Sequence, residues 1–92
     1  VLHLPKVYVF DSAVSNICHG AEVYVSGISK FEELEQDELT AIITLKGELI
    51  GLGMSKMNSE EILSLNKGVA VKTDAVFMQP DLYPKTKKNE NI

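Results

Sequence analysis

No arginine occurs in this 92-residue chain, and its nine basic residues are all lysines. Planar guanidinium forks, the usual two-pronged readers of phosphate and base edges, are therefore excluded. Tryptophan is missing too, and Cys18 is the single cysteine. One thiol forms no internal disulfide, which suits a reducing, cytoplasmic setting. No apolar run reaches the ~18 residues that span a bilayer, and no secretory signal pattern opens the chain, so no membrane partner is expected. The formal net charge of −4 argues against a partner bound by bulk electrostatics. A bound nucleic acid would need a local patch.

Chemistry-bearing clusters are equally scarce. His3, Cys18 and His19 are too few and too badly spaced for a metal centre, and no cofactor is expected. The five acidic residues between Glu32 and Glu38 lack the spacing and glycine of a calcium loop and read as a solvated loop. Ser12, Ser15 and His19 lie close in sequence, but nothing orients a nucleophile and base, so no enzyme is expected in this chain.

What is present is an ordinary globular composition, 45% hydrophobic and 24% charged, of a size for one small domain. Lys6 to Phe10, rich in β-branched and aromatic residues after Pro5, predicts a strand. Asp11 is placed to cap a helix over Ser12 to Cys18, with Ala13, Val14 and Ile17 as its buried stripe. Gly20 suits the left-handed residue after that helix. The run AEVYVS then alternates as a strand, with Ala21, Val23 and Val25 on one face, and bends at Gly27.

Further on, Leu39 to Leu45 alternates Leu39, Ala41, Ile43 and Leu45 against Thr40 and Thr44. Lys46-Gly47 is a hairpin turn into a returning strand, Glu48 to Met54. Gly51 and Gly53 in that strand mark a bulge or a close approach of another backbone. Asn58 with Glu61 forms a capping box for a second short helix, whose apolar contact is Ile62, Leu63 and Leu65 and whose end is Gly68. Val69 to Met78 reads as the last strand. Most turns are short and the strands are too closely connected for parallel crossovers, so a mainly β, mixed or antiparallel small barrel with two short helices is expected. The domain is expected over 1–85, with 86–92 as a flexible tail.

The segments DSAV, HGA, GISK, LTAIITLKGELIGLG, MNSEEI, NKGVAV and VFMQPDLYPK together resemble a PUA domain. More narrowly, they are similar to the C-terminal PUA domain of archaeal dyskerin-like pseudouridine synthases of box H/ACA ribonucleoproteins. Ser26 stands where that family usually has proline. The resemblance implies a PUA-type pseudobarrel that binds RNA, holding the ACA end and lower stem of a guide RNA. It also implies that catalysis lies in a separate domain of a longer parent, since no GxLDP-like motif surrounds Asp11, Asp37, Asp74 or Asp81. That catalytic domain and ribonucleoprotein subunits are the implied protein partners.

On this resemblance the RNA-binding residues are expected to be His19, Gly20, Ala21, Val23, Gly27, Ile28, Lys30, Tyr83 and Lys85. Ala21, Val23 and Ile28 would supply an apolar wall, and Lys30 and Lys85 would reach phosphates. Bland readings stand beside these. Gly20 and Gly27 serve equally as turn formers, and His19 either meets RNA or caps the preceding helix through its terminal carbonyls. Cys18 is a small buried apolar residue or a reactive thiol. Two other functions fit: a PUA module of another enzyme, such as a tRNA-guanine transglycosylase holding a tRNA CCA end, or a protein-docking domain using Tyr8 and Phe10.

Overall fold

The computed structural model describes residues 4–65 and 67–78. They form β1 (Lys6–Val9), α1 (Asp11–Cys18), β2 (Val23–Tyr24), a 3-10 turn (Val25–Gly27), β3 (Ile28–Phe31), β4 (Leu39–Thr44), β5 (Leu49–Ser55), α2 (Ser59–Ser64) and β6 (Val69–Val76). The strands make one six-stranded sheet in the order β2-β6-β5-β4-β1-β3. Its two edge strands, β2 and β3, are consecutive in sequence and joined by the 3-10 turn. That turn is tied to both flanks: Val25 N–H donates to the Gly68 carbonyl and Phe10 N–H to the Gly27 carbonyl, each at 2.9 Å. The sheet is thereby almost closed into a pseudobarrel, which leaves little edge for another chain to pair with.

One pairing departs from the sequence reading. β1 runs parallel to β4, with Lys6 beside Ala41 and Val9 beside Thr44, while the other pairs are antiparallel. Only successive strands are barred from parallel pairing by short links. The path from β1 to β4 runs through α1, β2 and β3, ample for a crossover.

β4 is covered on both faces. Thr40 and Thr44 are fully buried, and Ile42 between them belongs to the central core. Threonine is tolerated there because its hydroxyl is satisfied: Thr40 Oγ1 donates to the Glu38 carbonyl, and Thr44 Oγ1 accepts from the amides of Lys46 and Glu48. Ala41 and Ile43 are buried as well, as befits a central strand covered on both faces.

The two strand glycines answer a steric demand. A Cβ on Gly51 would run into the Ala75 carbonyl oxygen of β6, and one on Gly53 would come within 2.8 Å of Val71 Cγ1. The β5–β6 register shifts between Leu52 and Gly53, where the bulge lets the strands coil. The hairpin at Lys46-Gly47 forms as read, with Gly47 at φ +90°.

α2 carries the full capping box, Asn58 Oδ1 accepting from Glu61 N–H at 2.8 Å and Glu61 Oε1 from Asn58 N–H at 3.0 Å. Only Ile62 of its expected apolar contact is buried; Leu63 is 75% exposed. The acidic segment is not simply solvated either. Leu34 is buried in the core, and Asp37 takes a left-handed φ of +62°. Glu38 N–H donates to Ser55 Oγ at 2.9 Å, and Ser55 Oγ donates on to the Glu35 carbonyl. The carboxylates of Glu33, Glu35 and Asp37 remain at the surface.

Candidate functional site

An open groove of ≈ 830 Å³ lies between α1 and the segment running from Gly20 through β2 to Gly27. α1 starts on Phe10, whose extended backbone is the N-cap and whose carbonyl accepts from Ala13 N–H at 2.9 Å. Asp11 is therefore inside the first turn and is not the cap, a correction by one residue; its charge still faces the positive end of the helix dipole. Val14, Ile17 and Cys18 turn into the core, with Ala13 only half-buried. The opposite side of the helix presents Ser12, Ser15, Asn16 and His19 to the groove, a polar row at helical spacing.

The far end of α1 closes in a Schellman arrangement. Gly20, at φ +98°, donates to the Ile17 carbonyl at 2.9 Å, and Ala21 N–H to the Asn16 carbonyl at 3.0 Å. A Cβ on Gly20 would meet no neighbouring atom, so its left-handed backbone alone calls for glycine. Thr73 Oγ1 of β6 donates to the Ala21 carbonyl at 2.8 Å, so both main-chain groups of Ala21 are committed to the fold. His19 contributes to the helix end through its side chain: Nδ1 lies 2.8 Å from the Ser15 carbonyl. A carbonyl only accepts, so Nδ1 carries the proton in that contact and Nε2 points elsewhere as the second polar atom of the ring.

Of the expected residues, His19, Gly20, Ala21, Val23 and Gly27 line the groove together. Val23, however, is only 1% exposed and belongs to the core, so its side chain is no wall for a ligand. The expected strand 21–26 shortens to Val23–Tyr24 because the chain turns in a 3-10 bend there. Gly27 ends that bend, and a Cβ on it would press on Ala13 Cβ at 3.3 Å; the close approach it permits is that of helix α1.

Ile28 and Lys30 lie outside this groove. Ile28 lines a smaller one of ≈ 300 Å³ with Phe31, Ile62, Leu63 and Leu65. The Lys30 ammonium sits 4.7 Å from the centre of the Tyr8 ring, a cation–π contact. Tyr83 and Lys85 lie outside the described residues.

Sequence reasoning passed over Tyr24, Glu22, Asn16 and Ser26, which also line the groove. Tyr24 is 50% exposed there. The 3.6-residue spacing of Ser12, Ser15, Asn16 and His19 was a signal for the helical side; the strand side depends on where the sheet closes.

Burial raises the pKa of the Cys18 thiol, which packs in the core as a small apolar group. Among the described residues no group of histidine, cysteine or acidic side chains could hold a metal ion, and no helix is long and apolar enough to cross a membrane.

A short helix plugging a nearly closed six-stranded sheet, with a polar groove beside it, defines a PUA domain, and the PUA family model matches residues 5–77. The chain belongs to that family. Its relatives are more particular. It is 48% identical over 86 residues to the probable tRNA pseudouridine synthase B of Nanoarchaeum equitans, and 49% identical over 86 residues to that of Pyrococcus furiosus. Those matches take in 92% of this chain but 25% of each relative, so the chain spans about a quarter of the curated proteins it matches.

Among solved structures, the archaeal box H/ACA sRNP Nop10-Cbf5 complex matches with a TM-score of 0.86 and 45% identity, over 91% of this chain and 27% of that one. An H/ACA RNP bound to a substrate RNA containing 2'-deoxyuridine matches with a TM-score of 0.85 and 48% identity, over 89% of this chain and 26% of that one.

Proposed function

We propose that this domain is the RNA-holding PUA module of a box H/ACA-type pseudouridine synthase, acting in the cytoplasm, and that its groove beside α1 receives the single-stranded ACA end of a guide RNA. The observation that carries the reading is the groove itself. It places polar side chains of α1 opposite a half-exposed tyrosine, Tyr24. Unstacked bases are held by stacking on aromatic rings and by hydrogen bonds to their edges, and both kinds of group are present. The chemistry of uridine isomerisation belongs to the remainder of the parent, as the matched share of the relatives supports.

The expected site residues keep different roles in this reading. His19, Gly20, Ala21 and Gly27 shape the groove, and Lys30 meets the phosphate of the adjoining stem from β3. Tyr83 and Lys85 are proposed to flank it. With so few cations the salt dependence of binding is shallow, corresponding to roughly one to three phosphates.

The test is affinity for a short RNA hairpin with a single-stranded ACA end against the same hairpin with a scrambled end. Tighter binding to ACA, weakened by Tyr24→Ala in a domain of unchanged thermal stability, is expected. Equal affinity for the two ends would remove the reading.

A protein contact is the second reading, and the exposed Leu63 and Leu65 beside the smaller groove favour it. The rest of the parent polypeptide would rest there, on a face with more exposed aliphatic surface than Tyr8 and Phe10 provide.

A further inference from the structure

The groove is lined by no lysine among the described residues, and its single acidic side chain is Glu22. The electrostatics of the helix point the same way. The groove takes in the C-terminal end of α1, whose carbonyls carry the negative end of the helix dipole, and no basic residue stands in that last turn. Lys30, the nearest expected cation in sequence, is placed over Tyr8 instead. At that end of the groove a phosphate would meet the Glu22 carboxylate with no lysine beside it, whereas a group rich in N–H donors would be drawn in.

From this we infer that Glu22 makes the groove selective for nucleobases that carry an exocyclic amino group, and that the phosphates of the same strand lie outside it. The inference rests on the RNA reading above and names the chemistry of the moiety received. A carboxylate only accepts hydrogen bonds, and adenine N6 and cytosine N4 both offer N–H₂ donors, whereas uracil offers an O4 acceptor at the matching position. All three bases of an ACA end therefore fit a carboxylate, and a uridine in the same place puts oxygen against oxygen. Neither Glu22 nor Asn16 hydrogen-bonds another described residue through its side chain, so the carboxylate and the amide can both serve the incoming base.

The experiment measures affinity of the chain for the ACA-ended hairpin and for versions in which each adenine becomes purine, lacking the N6 amino group, or the cytosine becomes uracil. It is run on the unchanged domain and on Glu22→Gln, a shape-conserving change whose amide both donates and accepts. The unchanged domain is expected to lose about fivefold or more at one of the substituted positions. Glu22→Gln is expected to lose most of that discrimination while melting at the same temperature.

Preference for ACA over a scrambled end, with the same discrimination kept in Glu22→Gln, would overturn the inference and leave the RNA reading standing. Glu22→Gln tightening every RNA alike would also overturn it, since the carboxylate would then only repel phosphate. Failure of the unchanged domain to prefer ACA at all would remove the RNA reading and this inference with it.

Discussion

Ser59 grips Leu34 through both main-chain groups: its Oγ accepts from Leu34 N–H at 2.6 Å, and its own N–H donates to the Leu34 carbonyl at 3.1 Å. The first turn of α2 thus clasps the acidic segment and seats Leu34 in the core. Ser59→Ala leaves a part-buried amide without its acceptor and is expected to destabilise the domain by about 1–2 kcal/mol. Thermal melting reads the loss, and hydrogen exchange at the Leu34 amide should quicken with it.

Gly51 and Gly53 face backbone that cannot move aside. Alanine at either position must push β6 away from β5, at a cost of about 3 kcal/mol or more. For a domain of this size that lowers the melting temperature by more than about 10 °C. Alanine at Gly47, where space is open and only the positive φ is strained, should cost about 1 kcal/mol.

These contrasts show what was legible in the sequence. Punctuation was: the Lys46-Gly47 hairpin, the Asn58–Glu61 capping box and the glycine after α1 each depend on local chemistry, and each is in place. Faces and partners were not. Alternation set Thr40 and Thr44 on one face of β4 but did not show that this face is buried, because burial of threonine depends on hydroxyl partners that come from Glu38, Lys46 and Glu48 in the folded hairpin. Leu34 looked like part of a solvated run because its seat is built by Ser59, far along the chain. Tyr24 and Glu22 were missed as groove residues for the same reason, since sheet closure decides which side of a two-residue strand faces α1.

The Cys18 thiol is buried and its pKa is raised by that desolvation. The neutral thiol is thus favoured in the folded state, so iodoacetamide at neutral pH should modify it far more slowly in the folded domain than in denaturant. The sign for stability follows: the folded state holds its proton to higher pH than the unfolded state, so this group's contribution declines as pH rises into the alkaline range. Equal alkylation rates in the two states would show that the thiol is not enclosed.

Glu32 N–H donates to the Lys6 carbonyl at 2.8 Å, which places the acidic segment at the end of β1 opposite to α1. Glu33 and Glu35 are exposed there, and carboxylates close to RNA would repel its phosphates within the ~8–10 Å screening length. Replacing both by glutamine should change RNA affinity by less than about twofold. A large change in either direction would bring the RNA to that end of the barrel.

The placement of RNA in the groove is tested most directly by titrating the isotopically labelled domain with the ACA-ended hairpin and following backbone amide resonances. Shifts are expected at Asn16, His19, Gly20, Glu22 and Tyr24, which line the groove, while Glu33, Glu35 and Leu63 stay in place. Shifts that gather around Leu63 and Leu65, or along the acidic segment, with the groove amides unmoved, would contradict the placement.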